Sequence, residues 1–322
     1  MSLQDVTDGS DSLKSKQVPR SLIPALFRFE GGGSLKDRLL TALYVLVGAL
    51  VLSLIAMYVP YGGLVCVAWA AAVTAMSVFE VVRLFARSTE TLHYRPVVGV
   101  VMFSILILPG LAATYSAVRC VMGAAIDLRV LYAALLVSGQ CVLLGQVLSG
   151  RQKLEDASHH AQRWAPSFLL LGVCAPQLIV IAGSAHGVNV LWWIAGVVAL
   201  NDAAAYFAGR AFGKHKMAPG LSPNKSLEGS VAGLVAGTLS GVFLWSVLLG
   251  DCASGYQVAL IAMAMVVAAQ GGDLTKSYLK RLRGVKDTGA LFPGHGGVLD
   301  RFDAMIAAAP VVVVAFSFLG LL

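Results

Sequence analysis

The chain has 322 residues, 57% of them hydrophobic and only 13% charged, with a mean hydropathy of +0.78. Soluble domains carry about 25% charged residues, so this composition excludes an ordinary soluble enzyme and places lipid around much of the surface. The net charge of +7 reads as the cytosolic Lys/Arg bias of membrane proteins. No nucleic-acid partner is expected, because no basic stripe is interleaved with aromatic residues.

Residues 1–34 are polar and contain Gly31-Gly32-Gly33. They are predicted to form a disordered cytosolic tail. The apolar run Leu39 to Pro60 is too long for the core of a cleavable signal. From residue 35 to 322 the chain is predicted to be one all-α, polytopic transmembrane domain. Nine spans are expected near 38–60, 62–84, 96–118, 128–149, 165–186, 188–212, 229–250, 253–275 and 304–322. Pro109-Gly110 and Pro176 fall inside spans and should kink them or free backbone groups for a neighbour. Glu80, near the end of the second span, either lines the site or pairs with Arg83 three residues on, and the pair is favoured. Trp192-Trp193 reads as an interfacial aromatic belt. His159-His160 reads as a solvated loop. The five cysteines show no CxxC or Cys/His spacing, so no zinc site is expected. A disulfide among Cys66, Cys120 and Cys252 is left open.

Basic residues orient the chain. With the N-terminus inside, 22 of the 24 Lys and Arg fall on cytosolic segments, and Arg119 and Arg129 alone fall outside. The expected topology is therefore N-in and C-out, in the cell's inner (plasma) membrane.

Two segments break the scarcity of polar residues, and both are cytosolic in this topology. They are the expected active-site loops, 209–229 and 273–303. The second holds four of the chain's 17 acidic residues, Asp273, Asp287, Asp300 and Asp303. Hard carboxylate oxygens suit Mg²⁺, which takes one or two of them together with substrate phosphates. Lys276, Lys280, Arg281, Arg283, Lys286 and Arg301 are interleaved with the acids and suit phosphate oxygens. Such a mixture is what phosphoryl or nucleotidyl transfer requires. Pro293-Gly294-His295-Gly296-Gly297 lets the backbone turn sharply and approach a phosphate. The competing reading is a solvated loop with turn glycines. In the first segment, Asp202, Tyr206 and Arg210 recur at four-residue spacing and share one helix face. An intramembrane carboxylate at Asp202 points to function, or else to a pair with Arg210 or Tyr206. Ser222-Pro223-Asn224-Lys225-Ser226-Leu227-Glu228-Gly229 lacks the spacing of a P-loop. Ser226 is also a candidate helix N-cap.

Ser277-x-Leu279-Lys280-Arg281, Lys286-Asp287-Thr288-Gly289 and Pro293 through Asp303 together resemble the signature of the phosphatidate cytidylyltransferases, also called CDP-diacylglycerol synthases. The likeness runs ungapped over residues 277–303. Asn201-Asp202, Tyr206, Gly209-Arg210 and Ser222 to Gly229 are similar to that family's other marked segment. The resemblance implies transfer of a cytidylyl group from CTP to phosphatidic acid, giving CDP-diacylglycerol and pyrophosphate in phospholipid synthesis. It implies Mg²⁺ held by Asp273, Asp287, Asp300 and Asp303, and suggests a monovalent cation, K⁺, beside it. Catalytic roles fall on Lys280, Arg281, Lys286, Asp287, His295 and Arg301. Substrate contacts fall on Asp202, Arg210, Ser222, Lys225, Ser226, Glu228, Gly296 and Gly297. Membrane lipid surrounds the site. The oligomeric state is open, a homodimer included. A CTP-dependent polyprenol or lipid-alcohol kinase is the alternative enzyme, against which the unbroken signature argues. A transporter using Asp202 as an ion site would not need two phosphate-binding segments on one face.

Overall fold

The computed structural model describes residues 35–86, 95–125, 128–149, 162–250, 253–292 and 296–321. The N-terminal tail, His159-His160, Cys252 and the Pro293–His295 part of the signature lie outside them. Among the described residues there are nine long helices: α1 Leu35–Tyr58, α2 Gly63–Ala86, α3 Arg95–Val121, α4 Leu128–Ser149, α5 Gln162–Gly183, α6 Gly187–Phe212, α7 Leu227–Leu248, α8 Gly255–Arg281 and α9 Leu299–Leu319. A two-stranded antiparallel hairpin, β1 Lys216–Ala218 and β2 Ser222–Ser226, joins α6 to α7. The apolar segments are helical because, in hydrocarbon, every backbone N–H and C=O must be satisfied within its own segment. Seven of the helices carry a stretch long and apolar enough to cross a membrane. α1 and α4 contribute the shorter apolar runs Leu43–Tyr58 and Leu128–Val142. The protein is therefore an all-α polytopic membrane protein.

The helices fall where the hydropathy pattern puts them, but the two polar segments are less loop-like than expected. The second is helical up to Arg281 and again from Leu299, which leaves only the residues between as loop. In the first, α6 continues to Phe212, and the hairpin then leads directly into α7.

Pro176 does not break α5. It lies just after a π-helical stretch, Phe168–Cys174, whose wider turn suits a residue with no N–H to donate. α3 runs through Pro109 without interruption.

Small residues set the closest approaches. Gly229, Gly233, Gly237 and Gly241 recur every fourth residue, line the buried face of α7 and receive α6 and α8. A Cβ at Gly233 would lie 2.6 Å from Asn201 Oδ1, and one at Gly241 would lie 2.5 Å from Ala262 Cβ. This is the small-xxx-small packing of membrane helices, where close contact replaces a hydrophobic driving force. The opposite face of α7 exposes Val231, Val235, Leu239, Phe243 and Val247.

Trp193 corrects the aromatic-belt reading. It is fully buried, donates from Nε1 to Gly241 O at 2.8 Å and meets Trp245 edge-on. Trp192 donates to Ser53 Oγ at 2.8 Å and so ties α6 to α1. Cys66 and Cys120 are free thiols.

Candidate active site

Five helix ends meet at one end of the bundle. The C-terminal parts of α2, α6 and α8 arrive there beside the N-terminal ends of α7 and α9. The polar residues picked out in the sequence concentrate at this point.

α8 supplies the basic and acidic groups of one face. Asp273, Lys276 and Lys280 are three and four residues apart and therefore share a side of the helix. α9 answers with Asp300 and Asp303 in its first turns. The two helices come close because Gly272 faces Ala307, where a Cβ would meet the Ala307 methyl at 2.3 Å.

Lys276 Nζ lies 2.9 Å from Asp273 Oδ1 and 2.8 Å from Asp303 Oδ2, and it donates to the Asp300 carbonyl at 3.4 Å. Asp273 also pairs with Lys225 at the end of the hairpin. The result is a chain of alternating charge, Lys225–Asp273–Lys276–Asp303, with Lys276 and Asp303 buried. Buried charges persist when paired in this way. Arg281 Nε donates to Leu221 O at 3.2 Å and gives the hairpin a second tie to α8. The two marked segments, some fifty residues apart in sequence, thus form one site.

Asp300 organises the signature loop. Its Oδ1 receives Lys280 Nζ at 2.8 Å. Its Oδ2 accepts from Thr288 N at 2.8 Å, Thr288 Oγ1 at 2.9 Å and Gly297 N at 3.1 Å. Asp287 approaches the same point beside Gly296. A Cβ there would lie 2.7 Å from Asp300 Oδ2 and 3.3 Å from Asp287 Oδ1. Gly296 is also in the left-handed region, at φ +82°, which a side chain would strain. Glycine at 296 is therefore required by backbone conformation and by the gap between two carboxylates.

Several proposed substrate contacts have internal partners. Ser226 is the N-cap of α7, its Oγ accepting from Gly229 N at 3.2 Å. Glu228 accepts from Lys214 N at 3.1 Å and from His215 N at 3.2 Å, and its Oε1 lies 2.7 Å from His215 Nδ1. It fixes the start of the hairpin. Ser222 opens β2 opposite Ala218.

Arg210 donates to Tyr206 Oη at 3.2 Å, not to Asp202. Asp202 accepts from Asn201 Nδ2 at 2.8 Å and lies within electrostatic reach of Asp273, Lys225 and Lys276. The geometry thus joins Asp202 to the charged site and separates it from Arg210. Gln270 donates to Asn201 Oδ1 and to Ser230 O, both at 3.0 Å, and links α8 to α6 and α7 at the same level.

Arg210, Arg281, Lys286 and Arg301 are exposed around this core. His295 lies outside the described residues.

Two contributors hold roles that the sequence reading did not favour. Lys276 is a buried hub, not one more loop cation. Glu80 of α2, for which the sequence favours pairing with Arg83 over lining the site, has its carboxylate at the start of α9: Oε1 accepts from Val298 N at 2.7 Å and Oε2 from Leu299 N at 3.1 Å, with Thr288 Oγ1 2.9 Å from Oε2.

The donor set fits Mg²⁺ in one respect. Among the described residues no three His, Cys, Asp or Glu side chains converge as a self-sufficient metal cage. The acids come in twos, Asp273 with Asp303 about Lys276 and Asp287 with Asp300 about Gly296. One or two carboxylates completed by substrate phosphates and water is the usual Mg²⁺ arrangement.

A family model described as the cytidylyltransferase family matches residues 38–319. The phosphatidate cytidylyltransferase of Helicobacter pylori (strain ATCC 700392 / 26695) is 37% identical over 176 residues, 53% of this chain and 62% of that protein. That of Haemophilus influenzae is 43% identical over 130 residues, 39% of this chain and 44% of the relative. That of Bacillus subtilis is 34% identical over 143 residues, 44% of this chain and 53% of the relative. Each match covers less than two thirds of the relative's length. The family match reaches from α1 to the end of α9 and takes in every helix that builds the site, so the chain belongs to the cytidylyltransferase family.

Proposed function

We propose that the chain is a phosphatidate cytidylyltransferase, transferring the cytidylyl group of CTP to phosphatidic acid to give CDP-diacylglycerol and pyrophosphate. The observation that carries this reading is the paired Asp/Lys network of α8 and α9, set at one end of a lipid-embedded bundle and rimmed by exposed Arg and Lys. Relatives of that name share the family and support it.

The phosphate of phosphatidic acid is already an anionic nucleophile, so no Ser or Cys attack is needed. One of its oxygens attacks the α-phosphorus of CTP in line. The bond from that phosphorus to the β-bridging oxygen breaks, and pyrophosphate departs with the electron pair. Two polyanions must meet for this to happen. Arg281, Lys286, Arg301 and Arg210, exposed at the mouth, offset their repulsion. Lys280 and Lys225 hold Asp300 and Asp273 in place. Asp273, Asp287, Asp300 and Asp303 would offer the oxygen donors for Mg²⁺, which would supply charge stabilisation of the leaving group.

The site opens to the cytosol of a cell whose inner membrane holds the protein N-terminus-in, so CTP arrives from the compartment that contains it while the acyl chains stay in the bilayer. Cysteine labelling checks this topology. In a background without accessible native thiols, Met122→Cys should react with an impermeant reagent from outside, whereas Lys286→Cys should react only after permeabilisation. Outside labelling of Lys286→Cys contradicts the orientation.

The activity itself is checked with purified protein in detergent or vesicles. Given CTP, phosphatidic acid and Mg²⁺, it should accumulate a CDP-lipid on thin-layer chromatography. If no CDP-lipid forms, the reading fails.

A further inference from the structure

We propose that Glu80 is a positioning residue for the cytidylyl-transfer site, a clamp by which the membrane helix α2 holds the signature loop and the start of α9 in register. The inference rests on the function proposed above.

The geometry is dense for a single side chain. Glu80 accepts the first free N–H groups of α9, from Val298 at 2.7 Å and Leu299 at 3.1 Å. Those donors have no partner within the helix, and a carboxylate at a helix N-terminus is favoured by the dipole. Thr288 Oγ1 lies 2.9 Å from Glu80 Oε2 and 2.9 Å from Asp300 Oδ2. Its single proton serves one of them at a time, so the hydroxyl stands between Glu80 and the carboxylate that gathers Lys280 and the loop amides.

Two glycines are fitted to this carboxylate. A Cβ at Gly289 would lie 2.6 Å from Glu80 Oε1, and one at Gly297 would lie 2.3 Å from Oε2. Glu80 thus sits between the middle of the loop and its C-terminal end, and both places are shaped to admit it. Gly297, read from sequence as a substrate contact, has its steric requirement here. A cavity of about 60 Å³ is lined by Met76, Phe79, Glu80 and Arg83 of α2 and by Thr288, Gly289, Ala290 and Leu291 of the loop. Arg283 Nε donates to Leu84 O at 3.0 Å as a second tie between the loop and α2, and Glu80 is the contact that joins α2 to both the loop and the start of α9.

Acting through Thr288 and the loop, Glu80 touches neither substrate. Loss of a group that orients a metal-binding or catalytic carboxylate typically costs 10–100-fold in activity. Glu80→Ala should lower kcat by roughly that factor while leaving KM for phosphatidic acid within about twofold, because the loop orients charge and not the acyl chains. Glu80→Gln, which keeps one acceptor oxygen, should recover part of the loss. Thr288→Val removes only the hydroxyl link in a side chain of the same shape and should lower kcat in the same direction. Hydrogen exchange read by mass spectrometry supplies a measure independent of turnover. The segment containing Val298 and Leu299 should exchange faster in Glu80→Ala, with the other helices unchanged.

Wild-type exchange in that segment with wild-type kcat overturns the proposal. So does a fall in thermal stability with undiminished turnover per folded molecule, which would make Glu80 a purely structural cap. Should Glu80→Ala fail to fold, Thr288→Val and Glu80→Gln decide the matter by the same two readouts. If the wild-type protein makes no CDP-lipid, the proposed activity fails, and the exchange experiment still judges the clamp.

Discussion

Asp300→Asn should reduce turnover at least about 100-fold while the protein remains helical and monodisperse in detergent. The carboxylate answers Lys280 with one oxygen and three loop donors with the other. An amide cannot do both. With its NH₂ towards Lys280, two donors face each other; with the NH₂ towards Thr288 and Gly297, the loop loses its acceptor. The substitution also removes one of the two carboxylates that converge beside Gly296, and with it half of a proposed hard-oxygen pair for Mg²⁺. Initial rates at saturating CTP and phosphatidic acid check this. Wild-type turnover would mean that Asp300 serves only the loop's shape, and that the loop tolerates its loss.

Lys276→Ala should destabilise the protein by about 3–5 kcal/mol, the usual cost of stranding a buried charge. Asp273 would keep Lys225, but Asp303, only 4% exposed, would lose its ammonium partner. The ion pair joining α8 to α9 beside the tight Gly272–Ala307 contact would then be lost. The double variant Lys276→Met/Asp303→Leu should regain most of that stability, since a well-packed apolar pair often replaces a buried ion pair without loss. It should nevertheless stay inactive, because a proposed metal donor is gone. Thermal unfolding in detergent, compared across the single and double variants, provides the check. If the single variant is as stable as wild type, Lys276 does not hold the two helices together.

The helices were legible because hydropathy sets them directly. A run of about 20 apolar residues is a span, and helices such as α2, α4 and α6 lie close to their expected bounds. The identity of the acidic and basic groups was legible for a related reason. In a chain this poor in charge, the residues from Asp273 to Asp303 stand out. Their pairing was not legible. Lys276 looked like a loop cation until α8 was seen to continue to Arg281, which turns that side chain inward against α9. Glu80 is 208 residues from Thr288, and no local spacing rule connects residues so far apart. The available local rule, the three-residue step to Arg83, pointed elsewhere. The glycine ladder of α7 carried a readable sign, because its four-residue spacing is the small-xxx-small pattern. Trp193 was misread because a Trp pair near a span end suits an interface as well as a core. Only the contact with Gly241 and Trp245 separates the two.

The position of the transferred phosphorus tests the central claim most directly. CTP labelled with ³²P at the α-phosphate in one reaction and at the γ-phosphate in another is given to the purified protein with phosphatidic acid and Mg²⁺. Cytidylyl transfer predicts that the α-label appears in the lipid product and the γ-label in pyrophosphate. Label from the γ-position in the lipid, with none from the α-position, would contradict it and make the protein a CTP-dependent kinase.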